Sequence, residues 1–478
     1  MIEVHVHEHQ EDKDEQREKR QSCWKMFKME NQGIEPVPPD QRPHTRIWDN
    51  FTIWFSVSTT LAYVLLGMLG WQLYRLAFWQ AFVCIVIGNM ICSLPGAFFS
   101  TLGFRTGLPQ MVLVRYSFGY HGGKLVSVLA WINNAGWMII NIIQSTQFFA
   151  AMGDTGQPVL PMWAGVIILA ALTWIICLVG YKLIHSLQRW LWIPMWTAFG
   201  LLYGLGLTRA GPISSVLSNP EAESTAVMSF FALIYSATAL WPLAAGDFTV
   251  KQPTTFNTYA VGILSYLGGV IPTILIETLS FVLAATWMPQ QHHNEAGNSG
   301  ALAADVLAPL DWFGQILLVV FAFNVVGHVV PSAYNMALEI QTIVPWSTWL
   351  LATINMAIIT ILAVFGAENL VRILQIFLPL ITYCIMGYIT ILVSEHFVFR
   401  SRKYNIESWN DPSQLPIGAA AIVTLIIAFG AGMLATDQPW YIGPIAKRIG
   451  DLGIPLSLAF GFSFYNPLRY WEKKSFHR

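Results

Sequence analysis

Apolar residues in this chain gather in long unbroken runs, and polar residues collect in short segments between them. Neither the alternation of a half-buried strand nor the narrow stripe of a surface helix dominates. A bilayer core about 30 Å thick needs roughly 20 mostly apolar residues per helix, and about twelve stretches meet that length or approach it. They lie at 51–73, 77–99, 124–152, 161–181, 191–207, 226–245, 259–288, 314–337, 346–365, 371–393, 417–435 and 454–464. The pattern predicts an all-α polytopic membrane protein. Its transporter domain would occupy 47–470, between an N-terminal tail at 1–46 and a short C-terminal tail at 471–478.

Composition agrees. Of the 478 residues 55% are hydrophobic and only 11% charged, against about 25% charged in an ordinary soluble domain. Too little charge remains to coat a soluble surface. The net charge of −1 says nothing about nucleic acid, but no basic stripe appears, so no nucleic-acid partner is expected. The lipid bilayer is the expected surround.

The placement of lysine and arginine sets an orientation, because both favour the cytoplasmic side. With the N-terminus inside, 21 of the 26 fall on inside segments. That split predicts an even number of helices with both termini cytoplasmic, in the plasma or inner membrane. The first 46 residues contain no apolar core, so no signal peptide is expected, and their polar, mixed-charge composition leads to the expectation of a disordered tail. His5, His7 and His9 alternate within it, and His292 and His293 sit in the loop at 289–307. Both sets read as incidental histidines rather than metal sites. The five cysteines include no C-x-x-C pair, and four lie inside apolar stretches. They are expected as small buried side chains, with no disulfide framework, zinc site or cofactor.

Candidate chemistry lies where polar residues interrupt the spans. Irregular backbone survives in a membrane only where protein or a water-filled cavity receives its freed groups. Transporters often break one helix in each of two inverted halves and bind substrate there. The first stretch carries Ser56-Val57-Ser58-Thr59-Thr60, roughly 8–14 Å deep at 1.5 Å per residue. The sixth carries Trp241-Pro242, followed by Gly246. Pro242 removes a backbone donor. Helices one and six are equivalent if the protein is two five-helix repeats plus two more helices. Ordinary kinks would explain each break singly.

In the third stretch Trp137 and Asn141 are four apart and share a helix face. An aromatic face with an amide beside it suits a flat polar heterocycle. An interfacial tryptophan and a helix–helix asparagine contact would look the same. The eighth stretch brings together His328, Pro331, Ser332, Tyr334 and Asn335, which are costly in lipid unless they face a cavity. Glu277 in the seventh is the clearest intramembrane carboxyl, suited to proton relay or to a structural pairing.

Several motifs resemble one family. Gly33-Ile34-Glu35-Pro36-Val37-Pro38 followed by Arg42 is similar to the tail motif of fungal purine–cytosine permeases, which are nucleobase–cation symporters. Gly107-Leu108-Pro109-Gln110, Arg115-Tyr116-Ser117-Phe118-Gly119-Tyr120, Gly136-Trp137 with Asn141, and Trp241 followed by Gly246-Asp247-Phe248 follow in the family's order. Gly450-Asp451-Leu452-Gly453 and Pro467-Leu468-Arg469-Tyr470-Trp471-Glu472 close the chain in the same way. The likeness runs from about residue 30 to the end.

The resemblance implies a leucine-transporter-like fold, a 5+5 inverted repeat plus two C-terminal helices. It implies a symporter that imports a nucleobase, purine or cytosine, by alternating access. Substrate would lie between Trp137 and Trp241, with Ser56 and Asn141 lining the pocket and His328, Pro331 and Ser332 supplied by the eighth helix. The co-transported ion would be a proton rather than sodium. Ser58, Thr59, Glu277, His328 and Asn335 are the candidates to carry or bind it.

The eighth helix departs from the family pattern. Where the family reads asparagine, two residues, proline, asparagine, one residue, tyrosine, serine, this chain has His328, Pro331, Ser332, Tyr334 and Asn335. An amide pairs with a ring edge as both donor and acceptor, and a serine hydroxyl does so less fully. The alternatives are therefore a transporter of another heterocycle, such as a vitamin or hydantoin-like ring, or a receptor that binds without transport. An enzyme is not expected: no H-E-x-x-H occurs, and the only H-x-x-x-H pair is His5 and His9.

Overall fold

In lipid, every backbone N–H and C=O must find a partner within its own segment, so long apolar runs become helices. A computed structural model of the chain describes residues 34–42, 46–153, 159–179, 181–209, 221–287 and 297–478. The histidines at 5, 7, 9, 292 and 293 lie outside the described residues. The principal helices are α1 Asp49–Val57, α2 Leu61–Gln72, α3 Phe78–Thr106, α4 Arg115–Ala150, α5 Met162–Val179, α6 Tyr181–Arg209 and α7 Ser224–Thr238. Then follow α8 Thr258–Trp287, α9 Ser299–Leu307, α10 Trp312–Ala322, α11 Asn324–Gln341, α12 Thr348–Gly366, α13 Leu370–Ser394, α14 Ala419–Leu434 and α15 Gly453–Phe476.

Among the described residues, seven helices are long and apolar enough to cross a membrane, and eight when the bent pair α1 and α2 is one span. The sequence predicts about twelve. Part of the difference is a single run of 52 residues, Thr348–Phe399. At 1.5 Å per residue it is roughly 78 Å long, enough for two crossings of a 30 Å core. It contains α12 and α13, which correspond to two of the predicted stretches. Of the rest, Met162–Leu178 and Ala419–Leu434 fall below the length of a full span, and α15 is long enough but is not among the spans that pass on both length and apolarity. The final stretch, read as 454–464, is longer than expected, because α15 continues to Phe476.

The helices sort into packed groups. α8 lies against α1, α2 and α3, and α7 packs on α3. α4 packs on α11, α5 and α12, and α13, α14 and α15 pack on one another. Outward faces are apolar. Val83, Ile87, Met90, Ile91 and Leu94 form an exposed stripe on α3, as do Ile263, Leu267, Ile271 and Leu275 on α8. Apolar stripes of that length are expected against lipid, not water.

The segment 34–42, expected as part of a disordered tail, is docked. Val37 N–H donates to Gly107 O at 2.9 Å, and the Arg42 guanidinium donates to the carbonyls of Val37, Phe104 and Gln252. Gly107 has φ +70 and ends α3. A Cβ there would strike both Arg42 and Val37, so the tail motif and the glycine are one device.

The other family-like motifs also serve as fastenings. Arg115 donates to Asn410 at 2.9 Å, and the Tyr116 hydroxyl donates to Asn405 O at 2.6 Å, holding the loop before α14. Arg469 bridges Glu395 and Glu472 at 3.0 Å each, and Glu472 accepts from Ala420 N–H at 2.7 Å at the start of α14. Asp451 accepts from Gly453 N–H at 3.1 Å and Gln438 at 2.9 Å, capping α15.

Candidate functional site

Two interruptions in the helices face each other across the middle of the bundle. The first separates α1 from α2 with a 55° bend. The hydroxyls of Ser56, Ser58, Thr59 and Thr60 compete with helical hydrogen bonding there. Thr60 caps α2, its hydroxyl accepting from Ala62 N–H at 3.4 Å and donating to Asn141 Oδ1. Asn324, the first residue of α11, donates to Thr59 O at 2.7 Å and accepts from Leu61 N–H at 3.3 Å. His328 Nδ1 lies 3.1 Å from Val57 O. A carbonyl only accepts, so Nδ1 carries a proton, and Nε2 is left to receive or release another. Trp196 Nε1 donates to the Thr59 hydroxyl at 2.9 Å.

The second interruption follows α7. Pro242 cannot continue the helix, and Trp241–Leu243 is a short 3₁₀ turn. The backbone behind it is fixed from the far side. Thr238 donates to Asn89 Oδ1 at 2.8 Å, Gly246 N–H donates to Gln110 at 3.3 Å, and Thr249 donates to Ser100 O at 2.6 Å. A Cβ on Gly103 would collide with the Gly246 carbonyl, so only glycine lets α3 approach this closely.

A narrow cavity lies between the two breaks and the facing pair α4 and α11. Trp137, Trp241, His328, Pro331, Ser332 and Asn335, six of the residues singled out from the sequence, line it together. The His328 ring is 6.0 Å from Trp137 and 5.6 Å from Trp241. Trp241 meets Trp54 edge-on at 5.3 Å, and Phe248 packs on Trp54 at 5.3 Å. The result is an aromatic box with one imidazole in its wall. It suits a flat ring held by stacking.

Other expected residues fall elsewhere. Ser56 lines a separate cavity with Trp192, Met195, Phe323 and Asn324. Asn141 is buried behind Trp137, donating to the Trp137 carbonyl at 2.8 Å while accepting from Thr60. Thr59 donates to Phe55 O at 2.6 Å. The Ser58 hydroxyl is buried near Gly269 of α8, without a hydrogen-bond partner among the described residues. Glu277 lies on α8 away from the cavity, accepting from Asn89 at 2.6 Å.

Sequence reasoning missed Tyr63, Asn133, Asn134 and Phe248, which also line the cavity, and Glu339, which accepts from Asn134 at 2.6 Å. Spacing could have found three of them. Asn133 and Asn134 precede Trp137 by four and three residues, and Glu339 follows His328 by eleven, about three turns along the same face.

Comparison with known proteins decides the family. The model for permeases of cytosine and purines, uracil, thiamine and allantoin matches residues 36–453. The chain belongs to this permease family. The purine–cytosine permease fcyB of Emericella nidulans is 31% identical over 94% of this chain and 90% of its own length. The vitamin B6 transporter TPN1 of Saccharomyces cerevisiae is 25% identical over 94% of this chain and 88% of its own. Among solved structures, Mhp1, a nucleobase-cation-symport-1 family transporter in a closed conformation with bromovinylhydantoin bound, superposes with a TM-score of 0.69. That match covers 93% of this chain and 96% of Mhp1 at 14% identity, and it shows the leucine-transporter-like fold. This member of the permease family is thus a multi-pass membrane transporter of small molecules and not an enzyme.

Proposed function

We propose that this permease is a proton-coupled symporter of the plasma membrane, with both termini cytoplasmic, that carries a nucleobase-class heterocycle stacked between Trp137 and Trp241. The observation that carries the reading is the position of His328. One side chain lines the aromatic box and also donates to the Val57 carbonyl of the first break. A proton on Nε2 would act on the ring beside it and on the hinge of α1 and α2 together. A symporter needs such a link, because its ion must favour one of the alternating states.

The same contacts argue against sodium. A cation seated between the first break and α11 would use carbonyls of the broken helix, as half-helix ends and unwound backbone do in this kind of fold. Here the carbonyls of Val57 and Thr59 each receive an N–H from α11, through His328 and Asn324. Donor groups aimed at that point oppose a cation. Glu277 is the second candidate carrier. It is joined through Asn89 to Thr238, the last residue of α7 before the second break.

A vitamin-like ring is the second reading. It draws on Ser332, whose hydroxyl donates to its own helix at His328 O, 3.0 Å away, and offers the cavity no amide. It also draws on the similarity to a vitamin B6 transporter.

The test is uptake of radiolabelled cytosine, adenine, hypoxanthine, uracil and pyridoxine by cells that lack their own permeases for them. Accumulation of a nucleobase, saturable and abolished by a protonophore, is expected. Accumulation of pyridoxine alone would move the assignment to the second reading.

A further inference from the structure

We propose that the hydrogen-bonding edge of the substrate is read by Asn133 and Asn335, one helical turn along α4 and α11 from Trp137 and Ser332. The inference rests on a heterocycle being stacked between the two tryptophans, and it names the side chains that choose among such rings.

The register of α4 against α11 is fixed by three contacts. Trp137 lies beside His328, Asn134 donates to Glu339 Oε1 at 2.6 Å, and Thr342 donates to the Ser127 hydroxyl at 2.8 Å. The helices therefore run antiparallel, and Asn133 beside the Asn134–Glu339 level on α4 and Asn335 between the two levels on α11 both line the cavity. Asn133 is four residues before Trp137, and Asn335 is three after Ser332, so each shares a helix face with its neighbour.

The hydrogen-bond inventory singles these two out. Asn141 is committed to Thr60 and to the Trp137 carbonyl. The Ser332 hydroxyl is committed to His328 O, and Asn134 to Glu339. Asn133 and Asn335 both line the cavity at 4% and 8% exposure, and among the described residues neither side chain has a hydrogen-bond partner. Asn133 Oδ1 is fully enclosed without a partner. Buried amides are rarely left unpaired, and an unpaired one at a cavity wall is a standing demand for a ligand.

The chemistry of an amide then defines the ligand. Each carboxamide offers one acceptor and two donors in a plane, which matches an N–H adjacent to a C=O or ring nitrogen. Two such groups across one cavity select rings with oxo or amino substituents and an unblocked N–H. They penalise N-methylated analogues, which would leave an amide unpaired again. Positions 328 and 332, asparagines in the family pattern, are histidine and serine in this chain, and the amide on this part of α11 stands at 335.

The test uses full-length protein in permease-deficient cells, with surface level measured by a terminal tag. Uptake of the best-accumulated nucleobase is competed by each panel ring and by its N-methyl derivative. Asn133→Ala and Asn335→Ala should each weaken apparent affinity about tenfold, near the loss expected for one hydrogen bond in a buried site. Each should also shrink the preference for the parent ring over its N-methyl form. Asn133→Asp keeps the size and removes the donors, so it should reorder the competitors while reaching the surface. Unchanged competition profiles in the Asn133 and Asn335 variants would overturn the assignment. If wild-type protein at the surface accumulates none of the rings, the function reading fails first and takes this inference with it, before any variant is compared.

Discussion

The two breaks in the helices are built in different ways. At the first, polar side chains of α11 reach across and occupy the freed backbone: Asn324 at Thr59 O and Leu61 N–H, His328 at Val57 O. At the second, the supports come from behind, through Asn89, Gln110 and Ser100, and the face turned to the cavity is aromatic. One break is a polar hinge tied to the opposite group of helices. The other is an apolar wall with its polar groups hidden. In the proposed function the first break would serve ion coupling and the wall at the second break would serve ring stacking, and His328 touches both.

Altering the first break should have the largest effect. Asn324→Leu strips partners from a buried carbonyl and a buried N–H. At about 1–3 kcal/mol for each orphaned group, several kcal/mol of stability should be lost. Thermal unfolding of detergent-solubilised protein, or its surface level, measures this. A variant as stable as wild type would mean that the hinge is not held by α11.

The two tryptophans of the aromatic box, Trp241 at the second break and Trp137 on α4, should respond through affinity instead. Trp137→Ala and Trp241→Ala should each weaken binding by about 1–3 kcal/mol, by analogy with base stacking on an aromatic, with protein still at the membrane. Competition of radiolabelled uptake reads the change. Wild-type affinity in both variants would place the ring elsewhere.

A smaller and more selective change is expected from Glu277→Gln. The amide keeps one acceptor for Asn89 and removes the ionisable oxygen. If Glu277 acts only as a strut, uptake should keep its wild-type pH profile with a modest loss of rate. If it carries the proton, the pH profile should flatten. His328→Asn restores a family-like side chain and should do the same from the other side of the cavity, altering pH dependence or ring choice while leaving stability within about 1–2 kcal/mol.

The sequence carried the class of fold and much of the cavity. Long apolar runs, the polar tract at 56–60 and Pro242 leave few ways to fold in lipid, and Trp137, Trp241 and His328 were visible as polar or aromatic intruders. What it could not carry was direction. Asn141 and Trp137 share a face by spacing, yet Asn141 turns to Thr60 while the tryptophan meets the cavity. Ser56 and Ser58 sit on a helix whose 55° bend sends them to different neighbours. Glu277 stood out as a carboxyl in a span, but its partner Asn89 lies 188 residues away. Asn133 and Asn134 were overlooked because a polar pair near a helix middle has no pattern of its own until the facing helix is known.

The central claim is that the first break is closed to sodium and works through a proton on His328. Uptake should therefore be measured at fixed external pH with sodium replaced by choline, and again across a pH series with and without a protonophore, for wild type and His328→Asn. The account predicts indifference to the sodium swap, uptake that falls as external pH rises and collapses with the protonophore, and a changed pH series in the variant. Uptake that tracks sodium at constant pH, with the variant's pH series unchanged, would contradict it.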